Sequence, residues 1–227
     1  MKKLIIFDLD GTVGDTVGSL AYTVNKCLTR LGFPTLPEEN FNYYAGDGAK
    51  VMLERSLHDA GDEKGAHLDE LLELYWEEFK TGCTRNVKSY PGLPKVLKTM
   101  KSRGLKLAVC TNKAQPYAEA VIHEIYGDDL FDFILGEQPG IPRKPDPAGP
   151  LLIAEKLGAT PEECIYVGDT NTDMRTGSAA RMYTIGVTWG YRPREELEAF
   201  SPDRIVDKPR QLLPEILPSQ EIEDRRK

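Results

Sequence analysis

Apolar and polar residues follow two different rhythms along this 227-residue chain. Six short apolar runs have the length and composition of buried parallel strands: 3–8, 105–110, 131–135, 163–167, 182–187 and, more weakly, 204–206. Between the later runs, apolar residues recur at helical spacing, as in Leu93, Val96, Leu97 and Met100. This alternation predicts an α/β fold with a doubly wound, Rossmann-like parallel sheet that carries helices on both faces.

The stretch from Asp15 to about Lys80 breaks this alternation, because it contains no strand candidate. It carries three apolar stripes at helical spacing: Val17, Leu20, Ala21, Val24, Leu28 and Leu31; Ala49, Leu53 and Leu57; and Leu68, Leu71, Leu72, Tyr75 and Phe79. A helical block after the first strand predicts an α-helical cap domain over residues 15–84, with a core domain formed by residues 1–14 and 85–227. The polar segment 219–227 is predicted to be a frayed tail.

Charge and hydropathy argue against several classes of partner. The chain has 36 acidic and 29 basic residues, and its formal net charge is −7. This balance disfavours binding to nucleic acid or to an anionic membrane, and it means that an anionic substrate requires local cations. The apolar runs are far shorter than the roughly 18 residues of a membrane span, and the N-terminal residues do not form a signal peptide. We therefore expect a cytoplasmic protein, either a monomer or a homodimer.

Cysteine and histidine positions argue against a zinc site. The four cysteines are far apart and form no Cys-x-x-Cys pair: Cys27, Cys83, Cys110 and Cys164. They are typical of isolated thiols in a reducing compartment. The three histidines fall in or beside helical stretches and are expected to be structural or surface residues: His58, His67 and His123.

Polar side chains follow four of the predicted strands. The segments are Asp8-Leu9-Asp10-Gly11-Thr12, Thr111-Asn112-Lys113, Arg143-Lys144-Pro145-Asp146 and Gly168-Asp169-Thr170-Asn171-Thr172-Asp173. Because ligands of an open parallel sheet bind outside the carboxyl ends of its strands, we expect these groups to converge. Crowded carboxylates repel one another unless a cation intervenes, and oxygen ligands without histidine favour magnesium over zinc.

Each of these residues also has a purely structural interpretation. Helix capping would explain Asp8, Thr111-Asn112, Asp169 and Asp173, a turn would explain Asp10 and Thr12, and a solvated loop charge would explain Lys144. Stability does not require four separate loops to place such residues at one edge of a sheet. The set as a whole therefore indicates a functional site.

The four segments, taken in order, resemble the signatures of the haloacid dehalogenase superfamily of phosphohydrolases. They are Phe-Asp-Leu-Asp-Gly-Thr, Thr-Asn-Lys, Arg-Lys-Pro-Asp-Pro and Val-Gly-Asp-Thr-x-x-Asp. The helical insertion after the first signature is similar to that of members with an α-helical cap. The resemblance covers nearly the whole chain and implies the fold of that superfamily.

The resemblance also implies roles for the matching residues. Asp8 corresponds to the nucleophile that forms an aspartyl-phosphate, and Asp10 to the general acid and base. Magnesium would be held by the carboxylates of Asp8 and Asp169 and by the backbone carbonyl of Asp10. Thr111 would supply a hydroxyl, Asn112 a backbone amide and Lys144 a positive charge. Thr12 would contact the substrate. Asp173 would support the metal site or steady Lys144.

Substrate choice is expected to lie in the predicted cap, at Ala45-Gly46-Asp47-Gly48-Ala49-Lys50. A Gly-x-Gly segment that opens a helix can bring backbone amides close to a carboxylate, which makes Gly46, Asp47 and Gly48 candidate substrate contacts. The alternative is a tight turn with Asp47 as the helix N-cap. This pattern resembles the phosphoglycolate phosphatase branch. One departure is Gly14, which we expect to loosen the hinge or to leave more room beside the nucleophile.

These features together predict a magnesium-dependent phosphatase that acts on a small phosphorylated metabolite, with 2-phosphoglycolate as the favoured substrate. One alternative is a phosphomutase similar to β-phosphoglucomutase, and another is a phosphatase of the same family for nucleotides, pyrophosphate or sugar phosphates. A non-catalytic binding protein would be expected to lack Asp8, Asp10, Lys144 or Asp169, but all four are present.

Overall fold

The computed structural model describes residues 2–217, so that the predicted tail at 219–227 lies outside the described residues. Its sheet has six parallel strands: β1 (Leu4–Phe7), β2 (Lys106–Ala114), β3 (Phe133–Glu137), β4 (Cys164–Gly168), β5 (Tyr183–Val187) and β6 (Arg204–Val206). The strand order β3-β2-β1-β4-β5-β6 is that of a doubly wound Rossmann-like fold. The predicted strands and the predicted fold class are confirmed.

Ten helices complete the described part of the chain. Four of them lie in residues 17–82, which we call the insert: α1 (Val17–Arg30), α2 (Phe41–Tyr44), α3 (Ala49–Asp59) and α4 (Leu68–Gly82). The others are α5 (Leu93–Ser102), α6 (Gln115–Tyr126), α7 (Ala148–Lys156), α8 (Asn171–Ala179), α9 (Arg194–Glu198) and α10 (Leu212–Ile216). Short 3-10 turns occupy Glu38–Asn40, Pro161–Glu163 and Pro209–Gln211.

Both faces of the sheet are buried, which is why its strands are continuously apolar. On β1, Ile5 and Phe7 face the apolar residues of α5, α6 and α10, whereas Leu4 and Ile6 face the opposite side with those of α7. All four residues are completely buried. The sheet is thus a rigid platform, and its carboxyl edge carries the polar segments.

The insert packs around an apolar cluster of its own. The predicted stripes supply its buried residues, which include Leu20, Val24 and Leu28 of α1, Leu53 and Leu57 of α3, and Leu71, Tyr75 and Phe79 of α4. Tyr191, from the loop after β5, joins this cluster and so connects it to the sheet. The predicted helices are therefore confirmed, while the domain boundaries stay a prediction.

The cysteines and histidines have the environments that the sequence predicts, as isolated thiols and as surface side chains. All four cysteines are buried free thiols. The histidines lie at the surface, each beside an aspartate: His58 with Asp59, His67 with Asp62 and His123 with Asp128. Within residues 2–217, the helices lack the length and apolar character needed to cross a membrane.

Candidate active site

Asp8 lies at the point where the strand order reverses, between β1 and β4. Its backbone N–H donates to the carbonyl of Val167 (2.8 Å), which extends the pairing of β1 with β4 by one residue. The chain then turns at Gly11, which has φ = +89°. A Cβ at Gly11 would lie 2.2 Å from a carboxylate oxygen of Asp169, so that only glycine fits here. The turn brings the segment after β1 against Asp169, the residue that directly follows β4.

Lys144 joins two buried carboxylates. Its Nζ donates to Oδ1 of Asp8 (2.8 Å) and to Oδ1 of Asp173 (2.7 Å). Oδ2 of Asp173 accepts hydrogen bonds from the hydroxyl (2.6 Å) and the backbone N–H (3.1 Å) of Thr170, which is the N-cap of α8. The interpretation of Lys144 as a solvated charge is wrong, because only 8% of the residue is exposed.

The Asn112 side chain fixes the backbone of Lys144. Its Oδ1 accepts from the Lys144 N–H (2.9 Å), and its Nδ2 donates to the carbonyls of Lys144 and Gly46 (3.1 Å each). The alternative that Thr111-Asn112 caps a helix is wrong, because β2 extends to Ala114 and α6 starts at Gln115 without a side-chain cap. Asn112 therefore positions Lys144 and also contacts the insert.

Asp169 is completely buried and held on both oxygens. Oδ1 accepts from the Thr12 hydroxyl (2.7 Å), and Oδ2 accepts from the backbone N–H of Tyr191 (2.7 Å). The substrate contact of Thr12 stays a prediction: its buried hydroxyl is directed at Asp169, and Thr12 does not line the cavity described below. Thr12 fixes the orientation of the Asp169 carboxylate.

Three carboxylates crowd together at this place. One oxygen each of Asp8, Asp169 and Asp173 lie within 4.8 Å of one another. Burial and the neighbouring Asp173 raise the pKa of Asp8 well above its ordinary value and that of Asp169 to about 7. Lys144 offsets only part of this negative charge. The residues fit a hard divalent cation such as Mg²⁺, because the donors are all carboxylate oxygens and one more positive charge is needed.

Asp10 follows on the same turn, and its carboxylate has two partners. Lys113 Nζ lies 3.0 Å and 3.2 Å from its two oxygens, and the Thr16 hydroxyl donates to Oδ1 (2.6 Å). The Thr16 and Tyr191 hydroxyls are also hydrogen-bonded to each other (2.8 Å). No role was predicted for Lys113 from the sequence. The signal that could have found it is a lysine inside a strand that is otherwise buried.

These residues open into a cavity between the sheet edge and the insert. Its sheet side is formed by Asp8, Asp10, Thr111, Asn112 and Lys113. The opposite wall is apolar and aromatic, and we call its four rings the aromatic wall: Tyr75, Trp76 and Phe79 of α4 and Tyr117 of α6. Trp76 stacks on Tyr117 with a centroid distance of 5.5 Å. The aromatic wall thus combines three rings of the insert with one ring of α6.

Gly46 and Gly48 line the cavity, but Asp47 does not. Asp47 accepts from the Thr172 hydroxyl (2.9 Å) at one oxygen and from Arg55 Nη2 (2.7 Å) at the other. It also does not cap α3, because Gly48 precedes that helix without a side-chain cap. The predicted capping role of Asp47 is therefore wrong, whereas its predicted substrate contact stays a prediction. In this geometry the Asp47 carboxylate connects the insert to α8.

Arg192 makes a further contact between the sheet side and the insert. Arg192, which the sequence analysis missed, donates to the carbonyls of Asn42, Tyr43 and Ala45, with 3.3 Å to Tyr43 and 3.2 Å to Ala45.

The sequence predicts that Gly14 loosens the hinge or leaves more room beside the nucleophile, but that room is absent. A Cβ at Gly14 would lie 3.2–3.4 Å from the side chains of Thr16, Ile125 and Leu9, which already fill that space.

Comparisons with known proteins agree with this geometry. The profile of the haloacid dehalogenase-like hydrolases matches residues 5–187. A phosphoglycolate phosphatase of Pseudomonas putida is 31% identical over 217 residues, which cover 94% of this chain and 79% of that protein. One of Yersinia pestis is 32% identical over 217 residues, 95% of this chain and 94% of that protein. The crystal structure of a predicted phosphoglycolate phosphatase from Haemophilus somnus superposes with a TM-score of 0.86 at 27% identity, covering 93% of this chain and 96% of that one.

Proposed function

The chain belongs to the haloacid dehalogenase-like hydrolase family, and from that premise we propose that it is a magnesium-dependent phosphatase for a small phosphorylated metabolite, 2-phosphoglycolate. The observation that carries the proposal is the placement of Asp8 and Asp10 on one cavity wall, with Lys144 and Asp169 adjacent to Asp8. The names of the relatives support the choice of substrate.

Asp8 is the nucleophile in this proposal. Lys144 binds Oδ1 of its carboxylate, and an oxygen of that carboxylate attacks phosphorus as the bond to the ester oxygen breaks. Asp10 gives the departing alkoxide a proton, and then takes one from the water that attacks the aspartyl-phosphate and releases inorganic phosphate. The Thr16 hydroxyl holds Asp10 at the cavity wall during both steps.

The remaining groups handle charge. Asp8, Asp169 and the backbone carbonyl of Asp10 would hold magnesium, which when bound keeps the carboxylates ionised and offsets the charge of the phosphate oxygens. Thr111 offers its hydroxyl to the transferring phosphoryl group, because it lies on the cavity wall. Two residues position Lys144. Asp173 binds the ammonium group of Lys144, and Asn112 binds its backbone N–H.

The insert covers the site in this proposal. Residues 15–84 act as a cap domain on a core formed by residues 1–14 and 85–227, and the cap excludes water while the phosphoryl group is transferred. Support comes from the aromatic wall and from the contacts that Arg192 and Asn112 make to the carbonyls of the insert.

A phosphate-release assay tests the substrate. We expect 2-phosphoglycolate to exceed sugar phosphates, nucleotides, pyrophosphate and a chromogenic ester by about a hundredfold or more in kcat/KM, because a site built for one polar group rejects analogues that leave it unpaired. A flat profile would contradict this substrate. Production of glucose 6-phosphate from β-glucose 1-phosphate would show a phosphomutase instead.

Asp8→Asn tests the nucleophile. We expect a loss of about 10³-fold or more in kcat, since subtilisin variants that lose the nucleophile lose still more. Asp128→Asn is the matched control, because Asp128 is an exposed aspartate outside the cavity. Wild-type enzyme should also form a phosphorylated intermediate that Asp8→Asn does not form. An Asp8→Asn enzyme that keeps more than about a hundredth of the activity would exclude covalent attack by Asp8.

A further inference from the structure

Lys113 is the one lysine or arginine that borders the cavity among residues 2–217. Its side chain is 5% exposed, and its Nζ contacts both carboxylate oxygens of Asp10. On the other side, Nζ lies 5.2 Å from the ring centroid of Phe79. Lys113 therefore sits where the charged wall of the cavity meets the aromatic wall.

An anionic leaving group meets unfavourable surroundings in this cavity. Asp8 and Asp10 repel it, and the aromatic wall carries no positive charge that could pair with it. A carboxylate that loses its water there without a cation would be strongly destabilised. Lys113 is the side chain that can relieve this cost, because an ammonium group carries three N–H donors and its contacts to Asp10 use two of them.

The other cations near the cavity are already engaged. Lys144 lies between Asp8 and Asp173, Arg192 binds backbone carbonyls of the insert, and Arg143 is paired with Glu137. None of the three lines the cavity. A carboxylate in the cavity thus has one cationic partner within its reach.

We propose that Lys113 selects phosphate esters whose alcohol part carries a carboxylate close to the ester oxygen; the inference rests on the function proposed above. In that mechanism Asp10 protonates the ester oxygen, and Lys113 is bound to Asp10. In 2-phosphoglycolate one methylene separates the ester oxygen from the carboxylate. A cation next to Asp10 is therefore next to the place where this carboxylate must lie. Lys113 makes a specificity contact, whereas Lys144 serves the phosphoryl group.

A matched pair of substrates tests the inference. The two esters are 2-phosphoglycolate and 2-hydroxyethyl phosphate, which has a neutral CH₂OH in place of the carboxylate. We expect Lys113→Met to lower the ratio of kcat/KM for 2-phosphoglycolate to that for 2-hydroxyethyl phosphate by about 10- to 100-fold, the range of a hydrogen bond to a charged group. Lys113→Arg should keep part of the ratio. Lys98→Met, at an exposed lysine of α5, should leave it unchanged.

Equal losses on both esters would overturn the inference, because Lys113 would then act only through Asp10 or the fold. A wild-type enzyme that hydrolyses both esters equally well would overturn it too, while leaving the phosphatase proposal intact. Failure of the proposed function has a different signature, namely no phosphate release from either ester or full activity of Asp8→Asn. If Lys113→Met does not fold in a thermal melt, Lys113→Gln removes the charge while keeping an amide donor, and the same ratio decides.

Discussion

The two sides of the cavity are built on different principles. On the sheet side each charged group has a defined partner, as Lys144 has in Asp8 and Asp173. On the side of the insert the surface consists of rings, as in the stacked pair Trp76 and Tyr117, of aliphatic side chains such as Met52, and of glycine backbone. The sheet side positions charges to within a hydrogen bond, whereas the opposite side mainly defines a shape.

This difference follows from what each side must recognise. A phosphoryl group is the same in every ester, so that the groups that stabilise its charge can be fixed in type and position. Leaving groups differ in size and charge, and packed side chains can vary without disturbing the chemistry. Changes on the sheet side should therefore affect turnover, and changes on the opposite side should affect which substrate is used. Lys113, which lies where the two sides meet, is the exception that we propose.

Among the changes that test this comparison of the two sides, Lys144→Met should produce the largest effect. It removes the cation between Asp8 and Asp173, and we expect kcat to fall by about 10²- to 10³-fold, as for the loss of one group that stabilises the transition state. Steady-state kinetics with 2-phosphoglycolate and saturating magnesium checks this. The KM should change much less than kcat.

Two comparisons keep that experiment interpretable. Lys95→Met, at an exposed lysine on α5, should behave as wild type. Removing one partner from a buried ion pair costs about 3–5 kcal/mol in stability, so that each variant needs a thermal melt in addition to kinetics. A folded Lys144→Met enzyme with near-normal kcat would contradict the division between the two sides.

The crowding of carboxylates should make the metal-free protein sensitive to pH. Burial raises the pKa of Asp169 to about 7 from an ordinary value of about 4. The folded protein therefore holds the Asp169 proton more tightly than the unfolded chain does. This contribution to stability is fully present below about pH 4 and is lost as the pH rises through about 7. In chelator, the free energy of unfolding should be a few kcal/mol lower at pH 8 than at pH 5, at about 1.4 kcal/mol per pKa unit.

Asp169→Asn isolates this contribution, because the amide that replaces the carboxyl group does not ionise but can still accept one hydrogen bond. Urea unfolding at several pH values should show a smaller loss of stability between pH 5 and pH 8 in the variant than in wild type. Magnesium should stabilise the wild type more at pH 8 than at pH 5. An identical pH dependence in both proteins would mean that Asp169 does not titrate in this range.

Part of the fold and of the candidate site could be predicted from the sequence, namely the part where residue type, strand position and chemistry all agree. Asp8, Lys144 and Asp169 could be predicted to converge, because parallel strands end at one edge and the strand order places β1 beside β4. The strands and helices could be predicted for a similar reason, since their apolar spacing matches the burial found in the sheet and in the insert. These are properties of residues near one another in sequence or in register.

Contacts that join distant segments of the chain could not be predicted from the sequence. Asp47 has the residue type of a ligand contact, but its partner Thr172 lies 125 positions away, and no local pattern indicates that pairing. The expectation of more room at Gly14 is wrong because Ile125 helps to fill the space beside it, whereas the looser hinge stays a prediction. Apolar periodicity also shows that Trp76 lies on a helix, but not that Tyr117 completes the wall.

Trp76→Ala tests the side of the insert with a smaller expected effect. Loss of the stack on Tyr117 removes an aromatic contact worth about 0.5–1.5 kcal/mol, so that kcat/KM for 2-phosphoglycolate should fall by about 2- to 13-fold. Because the cavity becomes wider, the turnover of p-nitrophenyl phosphate should fall less than that of 2-phosphoglycolate. The preference between the two esters should therefore shrink. Tyr22→Ala, at an exposed ring on α1, is the control. Equal losses on both esters would show that Trp76 supports the chemistry rather than the shape.

Thr172→Val should give the smallest effect, at the contact between the insert and α8. The change keeps the volume of the side chain but removes the hydroxyl that donates to Asp47 (2.9 Å), while Arg55 still holds the other carboxylate oxygen. One hydrogen bond of this kind contributes about 0.5–1.5 kcal/mol, so that we expect a KM about 3- to 10-fold higher and an unchanged kcat. Thr99→Val, at a helical threonine of α5 outside the cavity, should alter neither constant. If Thr172→Val instead lowers kcat and leaves KM unchanged, the contact serves the sheet side, because α8 also carries Asp173 and thereby positions Lys144.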